Sequence, residues 1–168
     1  MKGMEKSKLV CAILLACFVT TSSCSQTNAP ARKASNLYVG STPCDPYIKS
    51  LLQISQNDSC DFIKWELNIS KEKTGSDVFE LTALHGVSKP NTNGFIDGGK
   101  RIATTGRYTV SKGAKENANR RLYQLNNTAT SSPILLVEMD DNIFHFANKE
   151  RELVCGNGGW GYVLNRIK

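Results

Sequence analysis

The sequence predicts an all-β fold, namely a closed antiparallel β-barrel of about eight short strands with one short helix after the first strand. From residue 36 onward, apolar and polar residues alternate with a period of two in most segments, which is typical of half-buried strands. Turn-forming residues separate these segments at short intervals. About eight strands of this length suit a barrel or a sandwich, and the barrel is favoured because closure removes exposed strand edges.

The predicted strands share this alternation. They cover residues 37–39, 62–70, 78–84, 102–111, 122–125, 134–139, 143–146 and 160–164. Asp140, Asp141 and Asn142 separate two of them and are typical of a tight hairpin connection. The two aspartates are therefore interpreted as turn residues and not as a catalytic carboxylate pair.

One segment, Asp45–Ile54, departs from the strand pattern and predicts a short helix. Asp45 is an acidic cap, Pro46 occupies a first helical position, and apolar residues follow at positions 47, 48, 51 and 52. Two polar loops, 88–99 and 113–119, are expected between later strands.

The first 23 residues differ in kind from the rest of the chain. Lys2, Lys6 and Lys8 precede an apolar run of eleven residues, Leu9–Val19. That run is too short to span a bilayer, which needs roughly 20 apolar residues, but it fits the core of a signal peptide. We therefore expect residues 1–23 to direct export.

Small residues directly before Cys24 resemble the lipobox of bacterial lipoproteins, in which the cysteine is acylated. In the Cys24 site, Thr21 stands where Leu or Val usually precedes the lipidated cysteine, so Cys17 has the better upstream pattern. An ordinary secretory signal cut near Ala29 is a third alternative. We favour lipidation of Cys24 by palmitate-type chains, each buried CH₂ contributing about 0.8 kcal/mol to membrane binding. Residues 24–35 then form a flexible tether, and residues 36–168 form the barrel domain.

Charge and sorting residues bear on the partners of the chain. The whole chain carries +6 and residues 1–23 contribute +2, which leaves +4 on the mature part. Its basic residues are scattered, whereas nucleic-acid binding requires them on one face, so no nucleic-acid partner is expected. The residues directly after the lipidated cysteine influence sorting, and an aspartate there retains a lipoprotein at the inner membrane. Ser25 and Gln26 occupy these positions, and neither is an aspartate. The expected location is the outer membrane, on its periplasmic or surface face.

Three cysteines remain in the predicted mature domain: Cys44, Cys60 and Cys155. An oxidising compartment favours a disulfide, and the odd number leaves one thiol free or paired between molecules. The spacing does not determine which two pair. The cysteines lack the close spacing of metal ligands, and both histidines are distant in sequence, so no metal site is expected.

The sequence offers no catalytic constellation, and a non-enzymatic domain without a cofactor is expected. His85 and His145 lie within strand patterns, where a histidine on the surface or lining of the barrel is the simpler interpretation. The glycines of Gly156–Gly159 precede a Trp-Gly-Tyr strand pattern instead of the helix that a phosphate-binding loop requires.

Two stretches of the sequence resemble the N-terminal domain of the NlpE-like lipoproteins, sometimes described as copper-resistance or stress-sensing proteins. The first stretch is Tyr38–Asp45, and the second comprises the closing segments Met139–Phe146, Lys149–Leu153 and Gly156–Leu164. The Ser-Cys-Ser at residues 23–25 is similar to lipoproteins of the Bacteroidetes type. The resemblance covers residues 36–166 and implies a lipocalin-like barrel with a binding or stress-sensing role.

One departure from this family limits what the resemblance implies. The better-known members carry Cys-x-x-Cys after the proline, whereas this chain has Cys44-Asp45-Pro46-Tyr47. A copper or thiol-redox role is therefore not carried over to this chain. Cys44 could instead pair with Cys60 or Cys155, and such a bridge contributes about 2–4 kcal/mol.

The predicted strands carry aromatic residues, some of which must fill the barrel: Trp65, Phe79, Tyr108, Tyr123, Phe144 and Phe146. A barrel of eight strands is just wide enough to be packed solid or to hold one small ligand. Two hypotheses follow. The domain binds a small apolar ligand or docks an envelope protein, chiefly through loop 88–99, or it is a structural lipoprotein with a solid barrel.

Overall fold

The computed structural model of the protein describes residues 36–71, 75–127 and 132–167. Eight antiparallel strands pair in chain order, and the last returns to the first to close a barrel. The strands are β1 Asn36–Pro43, β2 Phe62–Lys71, β3 Asp77–Gly86, β4 Lys100–Lys112, β5 Arg121–Asn127, β6 Ile134–Asp140, β7 Ile143–Ala147 and β8 Val163–Arg166. The predicted fold class is confirmed. The signal, Cys24 and the tether lie outside the described residues.

Alternation along the strands places one set of side chains in the barrel interior. In β2, Ile63, Trp65, Leu67 and Ile69 are buried, while the residues between them are half-buried or exposed. The indole Nε1 of Trp65 donates a hydrogen bond of 2.9 Å to the hydroxyl of Thr42 on β1. This bond satisfies the polar atom of the largest buried side chain.

Closure of the barrel depends on a close approach of β8 to β1. The two strands share only a short register, Tyr38 with Arg166 and Val39 with Asn165. A Cβ atom on Gly40 would lie 2.2 Å from the carbonyl oxygen of Val163. Glycine is therefore needed at position 40 for the last strand to reach the first.

Large side chains pack the barrel interior. Trp65, Phe79, Phe144 and Phe146 are each about 1% exposed, and the rings of Trp65 and Phe146 lie 5.0 Å apart. Near the opposite end, the ring of Phe144 lies 4.4 Å from that of Tyr38 and 4.8 Å from that of Tyr123. The barrel interior is therefore densely packed around these rings.

Strand β6 is buried on both faces. Leu136 belongs to the main core, whereas its neighbours Leu135 and Val137 belong to a second cluster with Leu122 and Ala147. Successive side chains of a strand point to opposite faces, so this second cluster lies on the outer wall of the barrel. Leu153, in the chain after β7, packs against it. This covering segment lies beside the candidate site described below.

Helix α1, Pro46–Leu51, lies between β1 and β2 as predicted and closes one end of the barrel. The carboxylate of Asp45 accepts a hydrogen bond of 2.8 Å from the backbone N–H of Ile48, and Pro46 occupies the first turn. Ile48 is fully buried, and Leu51, Leu52 and Ile54 join the same core. The helix is shorter than the predicted segment because the chain turns after Leu51 to bring Ile54 inward.

Two features of the C-terminal part refine the prediction. Asp140–Asn142 forms the predicted hairpin turn, in which the Asp140 carboxylate accepts a hydrogen bond from the Asn142 N–H at 2.7 Å. The last strand begins at Val163 and not at Trp160, because a turn over residues 157–160 holds Trp160 outside the sheet. Within the described parts of the chain, no helix has the length and apolarity needed to cross a membrane.

Candidate functional site

A groove of about 510 Å³ lies on the outer wall of the barrel between α1, β5, β6 and the chain that follows β7. We call it the outer groove. Its apolar lining comes from Leu51, Pro133, Leu135 and Ala147, with Tyr47 beside them. Its polar and charged lining comes from Ser50, Gln124, Ser132, Asn148, Lys149, Glu150 and Arg151. This volume lies within the range of 300–1,000 Å³ that is usual for sites of small ligands.

Tyr47 joins the two sides of the outer groove. Its hydroxyl donates a hydrogen bond of 2.7 Å to the carbonyl oxygen of Ala147 at the end of β7. Burial, with a smaller contribution from the Asp45 carboxylate, raises the pKa of Tyr47 to about 12. The phenol therefore stays protonated and keeps this bond at physiological pH.

A disulfide fixes the helical side of the outer groove. Cys44 and Cys60 are bonded, with their Cα atoms 5.7 Å apart, and they enclose α1 in a covalent loop. Within that loop the buried ammonium of Lys49 donates to the carbonyl oxygens of Gln56 at 3.0 Å and Asp58 at 2.7 Å. The structure thereby gives the pairing that the sequence left open, and Cys155 is exposed and has no disulfide partner among the described residues.

Another contact ties the start of α1 to the C-terminal part of the barrel. The hydroxyl of Tyr162 donates a hydrogen bond to the Asp45 carboxylate. Burial, followed by this hydrogen bond and the charge of Asp45, raises the pKa of Tyr162 well above its ordinary value. The carboxylate that caps the helix is thus also an anchor for the chain that leads into β8.

The charged residues of the outer groove follow one another in the chain. Lys149 and Glu150 form an exposed pair at 3.6 Å, and Arg151 adds a second cation. These three residues leave a net charge of +1 beside an apolar floor. Such an arrangement can hold a molecule with an apolar body and one acidic group.

A second cavity of about 320 Å³ adjoins His85 at the end of β3. The residue is 4% exposed, and its Nδ1 atom has no hydrogen-bond partner in the part of the chain that the structure describes. Burial and then the charge of Lys100 lower the pKa of His85, with Lys49 adding to this effect and Asp58 opposing it. The imidazole is therefore neutral at physiological pH, and it lines the barrel interior as the strand pattern predicts.

A third cavity of about 280 Å³ lies between the turn that connects β4 to β5 and the chain after β7. We call it the thiol cavity because Cys155 lines it. Asn117 lines the opposite side and is 8% exposed. The side chains of Lys115 and Glu152, which both line this cavity, form an ion pair.

The remaining residues that the sequence singled out have structural positions. His145 lies on β7, with Nδ1 3.0 Å from the carbonyl oxygen of Phe146. Gly156 belongs to the turn before β8, where a Cβ atom would lie 1.8 Å from the Trp160 carbonyl oxygen. Among the residues that the structure describes, no three His, Cys, Asp or Glu side chains come close enough together to hold a metal ion.

Loop 88–99 is folded against the barrel. Ser88 and Phe95 form a β-bridge, and the Ser88 N–H donates a hydrogen bond of 2.7 Å to the Asp61 carboxylate. Phe95 is 4% exposed and its ring lies 4.4 Å from that of Phe62. Trp160 stacks on the same Phe62 ring at 5.8 Å and is 39% exposed. These three rings form an aromatic cluster beside the loop, in which Trp160 is the exposed ring.

Comparison of the chain with protein-family models, with curated proteins and with solved structures gave no match. The resemblance to the NlpE-like family consequently stays a prediction. The site is described by its own geometry alone.

Sequence reasoning missed the outer groove. Its lining comes from residues that are far apart in the chain, from Tyr47 to Arg151. One signal was available, because Leu135-Leu136-Val137 is a continuous apolar run, which indicates a strand buried on both faces. A strand of that kind in a barrel predicts that further chain covers the outer wall.

Proposed function

We propose that the chain is a non-enzymatic binding lipoprotein of the NlpE-like kind, acylated at Cys24 and held at the outer membrane. The ligand site in this proposal is the outer groove and not the barrel lumen. The ligand is a small amphipathic molecule with an apolar body and an acidic group. The observation that carries the proposal is the combination of a packed interior with an apolar, basic-rimmed groove on the outer wall.

The packed interior supports a site outside the lumen. A small ligand in the lumen would have to displace side chains such as Trp65 and Phe146, which are about 1% exposed. Removing such contacts costs several kcal/mol, because protein cores are packed as densely as organic crystals. The outer groove needs no such rearrangement.

The walls of the outer groove support binding because they are fixed before a ligand arrives. The Cys44–Cys60 bond encloses α1, and the Tyr47 hydroxyl is bonded to Ala147 on the facing side. Leu51 and Leu135 are 9% and 8% exposed, so they form a floor that belongs to the packed structure. A preformed site avoids the free-energy cost of ordering its own side chains on binding.

The charges at the rim support an acidic group on the ligand. Lys149 and Arg151 outnumber Glu150, and all three are exposed. A guanidinium presents its donors in a planar fork that matches a carboxylate or sulfonate. Because the rim is exposed, each charged contact is worth about 0.2–1 kcal/mol, and the apolar floor supplies most of the affinity.

The alternative is a structural envelope lipoprotein that acts through protein contacts. The packed barrel and the exposed ring of Trp160 favour this alternative. Aromatic side chains with one exposed face are frequent anchors of protein interfaces. In this case the partner would cover the exposed ring of Trp160, which stacks on Phe62.

Binding of 8-anilinonaphthalene-1-sulfonate, an aromatic sulfonate, tests the outer groove. Ser50 is exposed on α1 and lines the groove, so Ser50→Trp should fill it and weaken binding about tenfold or more. Thr105→Trp, at an exposed position of β4, is the matched control and should leave the dissociation constant unchanged. Both are measured by fluorescence titration.

Charge reversal gives a second readout of the same site. Lys149→Glu should weaken binding of the sulfonate about two- to fivefold, with a smaller difference at high salt. The control Lys112→Glu reverses an exposed charge at the end of β4 and should have no effect. If Ser50→Trp and Lys149→Glu both bind the sulfonate as tightly as the unmodified protein, the outer groove is not the site.

A further inference from the structure

His85 is a buried titratable residue that the proposed function does not use, and the end of loop 88–99 lies beside it. The imidazole is 4% exposed, and its Nδ1 atom has no hydrogen-bond partner among the residues that the structure describes. Ile96, Asp97 and Gly99 of the loop line one side of the cavity at this histidine. We propose that His85 is a pH-sensitive latch, which keeps loop 88–99 closed at neutral pH and releases it in mild acid. This proposal does not depend on the outer groove.

The end of the loop contacts His85 closely. A Cβ atom on Gly99 would lie 2.8 Å from the His85 carbonyl oxygen and 2.9 Å from a ring carbon of Phe95. Asp97, Gly98 and Gly99 have φ angles of 53°, 77° and 77°, so three successive residues adopt the left-handed region. The chain therefore turns tightly where it closes over the cavity. A protonated imidazole could gain hydration there only if this turn moved away.

Charged groups surround His85 on four elements. Lys100 lies directly opposite on β4, and its ammonium is 3.1 Å from the Asp58 carboxylate in the turn before β2. Lys49 of α1 donates to the backbone of that turn, and Asp97 of the loop lines the cavity. Burial and then the charge of Lys100 lower the pKa of His85, while Lys49 adds to this effect and Asp58 opposes it. An imidazolium is therefore disfavoured while the loop is closed.

Protonation of His85 consequently favours an open loop. In the open arrangement the ring is hydrated and has the ordinary histidine pKa of about 6.5, whereas the pKa is lower in the closed arrangement. The open form binds more protons, so a fall in pH shifts the equilibrium toward it. Between about pH 7.5 and about pH 5 the ratio of open to closed molecules can rise by at most about 30-fold. That limit is reached if the closed form takes up no proton.

The cavity wall on the other side of His85 is fixed. Ser59 lines it and belongs to the turn that ends at the Cys44–Cys60 bond. The buried ammonium of Lys49 donates hydrogen bonds to two carbonyl oxygens of the same turn. A covalent bond and a buried cation thus hold this wall in place. The loop is the wall that can move.

Loop 88–99 is held by hydrogen bonds and ring packing. The Ser88 N–H donates a hydrogen bond of 2.7 Å to the Asp61 carboxylate. Hydrogen bonds from Ser88 lower the pKa of Asp61, so this carboxylate stays ionised in mild acid and the contact is kept. Release in mild acid therefore depends on His85. Opening would uncover the ring of Phe95, which is 4% exposed in the closed loop.

Hydrogen exchange of the full chain in detergent, followed by mass spectrometry, tests the latch. Protection factors of loop 88–99 are measured at about pH 7.5 and about pH 5 and corrected for the effect of pH on intrinsic exchange. The amides of Ile96 and Gly98 report opening, because they donate to the carbonyl oxygens of Val87 and Phe95. We expect their protection to fall several-fold at the lower pH, within the limit of about 30-fold.

Urea separates opening of the loop from unfolding of the whole barrel. At about pH 5, exchange in the loop should be unchanged by about 1 M urea, because a local opening exposes little new surface. Exchange in β2 and β6 should accelerate with urea, since it requires global unfolding. Loop exchange that rises with urea as steeply as that of the strands overturns the proposal, as does equal loop protection at the two pH values.

Variants assign the effect to one histidine. His85→Gln should remove the pH dependence of loop protection, whereas His145→Gln, which replaces the other histidine of the chain, should keep it. Lys100→Met removes the charge opposite His85 and should make the pH effect smaller. A pH response that persists in His85→Gln overturns the proposal. If His85→Gln does not fold, an undiminished response in Lys100→Met overturns it instead.

Discussion

Removal of the Cys44–Cys60 disulfide is the perturbation whose magnitude follows most directly from the structure. The two cysteines are 16 residues apart, so the bond closes a loop of about that length in the unfolded chain. In the chain-entropy description a loop of this size is worth about 3 kcal/mol at 25 °C. Replacing both cysteines by alanine should therefore lower the free energy of unfolding by about 3 kcal/mol.

Removal of the disulfide should also affect the outer groove, in addition to lowering the overall stability. The bond encloses α1, and α1 supplies Tyr47, Ser50 and Leu51 to the outer groove. The barrel pairs its strands without using the disulfide, so the double variant should still fold. We expect binding of 8-anilinonaphthalene-1-sulfonate to weaken, because the helical wall is then free to move before the ligand binds.

Urea unfolding followed by tryptophan fluorescence measures the stability. Cys155→Ala is the control, because it removes a cysteine that forms no disulfide within the described residues. The double variant should unfold at a lower urea concentration, and the control should unfold with the unmodified protein. A loss of less than about 1 kcal/mol in the double variant would refute the loop-entropy argument.

Three further predictions concern single side chains. Burial and then the charge of Lys100 lower the pKa of His85, so the unfolded chain binds a proton at this residue more readily than the folded chain. The free energy of unfolding should therefore be constant above the ordinary histidine pKa of about 6.5 and decrease as pH falls through that value. In urea unfolding at about pH 7.5 and about pH 5, His85→Gln should show a weaker pH dependence of stability than the unmodified protein. Gly40→Ala should cost about 1–3 kcal/mol in thermal unfolding, because its Cβ would lie 2.2 Å from the Val163 carbonyl oxygen, whereas Gly158→Ala, which meets no atom within 4 Å, should be much milder. Thr42→Val should lower the free energy of unfolding by about 1–3 kcal/mol, because it leaves the buried indole N–H of Trp65 without an acceptor; equal stability in urea would contradict this.

The fold class was predictable because local pattern and global architecture agree. In β2 the apolar side chains Ile63, Trp65, Leu67 and Ile69 alternate with residues of the outer face, and the structure buries those four. The helix signal of Asp45 and Pro46 was equally local, since a cap and a first-turn proline need only the next few residues.

The last strand was placed wrongly because a tight turn competes with the strand pattern. Trp160-Gly161-Tyr162-Val163-Leu164 has the composition of a strand, but the Asn157 side chain accepts hydrogen bonds from the N–H groups of Gly159 and Trp160. An asparagine before glycines favours such a turn. The strand therefore begins only at Val163, and Trp160 is left exposed beside Phe62.

The candidate site depends on distant parts of the chain meeting, which periodicity does not encode. Tyr47 and Ala147 are 100 residues apart, and their hydrogen bond crosses the outer groove. The pairing of Cys44 with Cys60 likewise follows from the position of α1 over the barrel end, a tertiary feature. The position of the site on the outer wall could therefore not be predicted from the sequence and was found from the structure.

Native mass spectrometry of the protein taken from its own cell envelope tests most directly the claim that a ligand occupies the outer groove. The unmodified chain and Ser50→Trp are purified side by side under non-reducing conditions, with Thr105→Trp as the control. The account predicts a reproducible adduct of small mass on the unmodified chain and on Thr105→Trp, lost on unfolding and missing from Ser50→Trp. An adduct of equal abundance on Ser50→Trp, or a bare mass for all three chains, would contradict it.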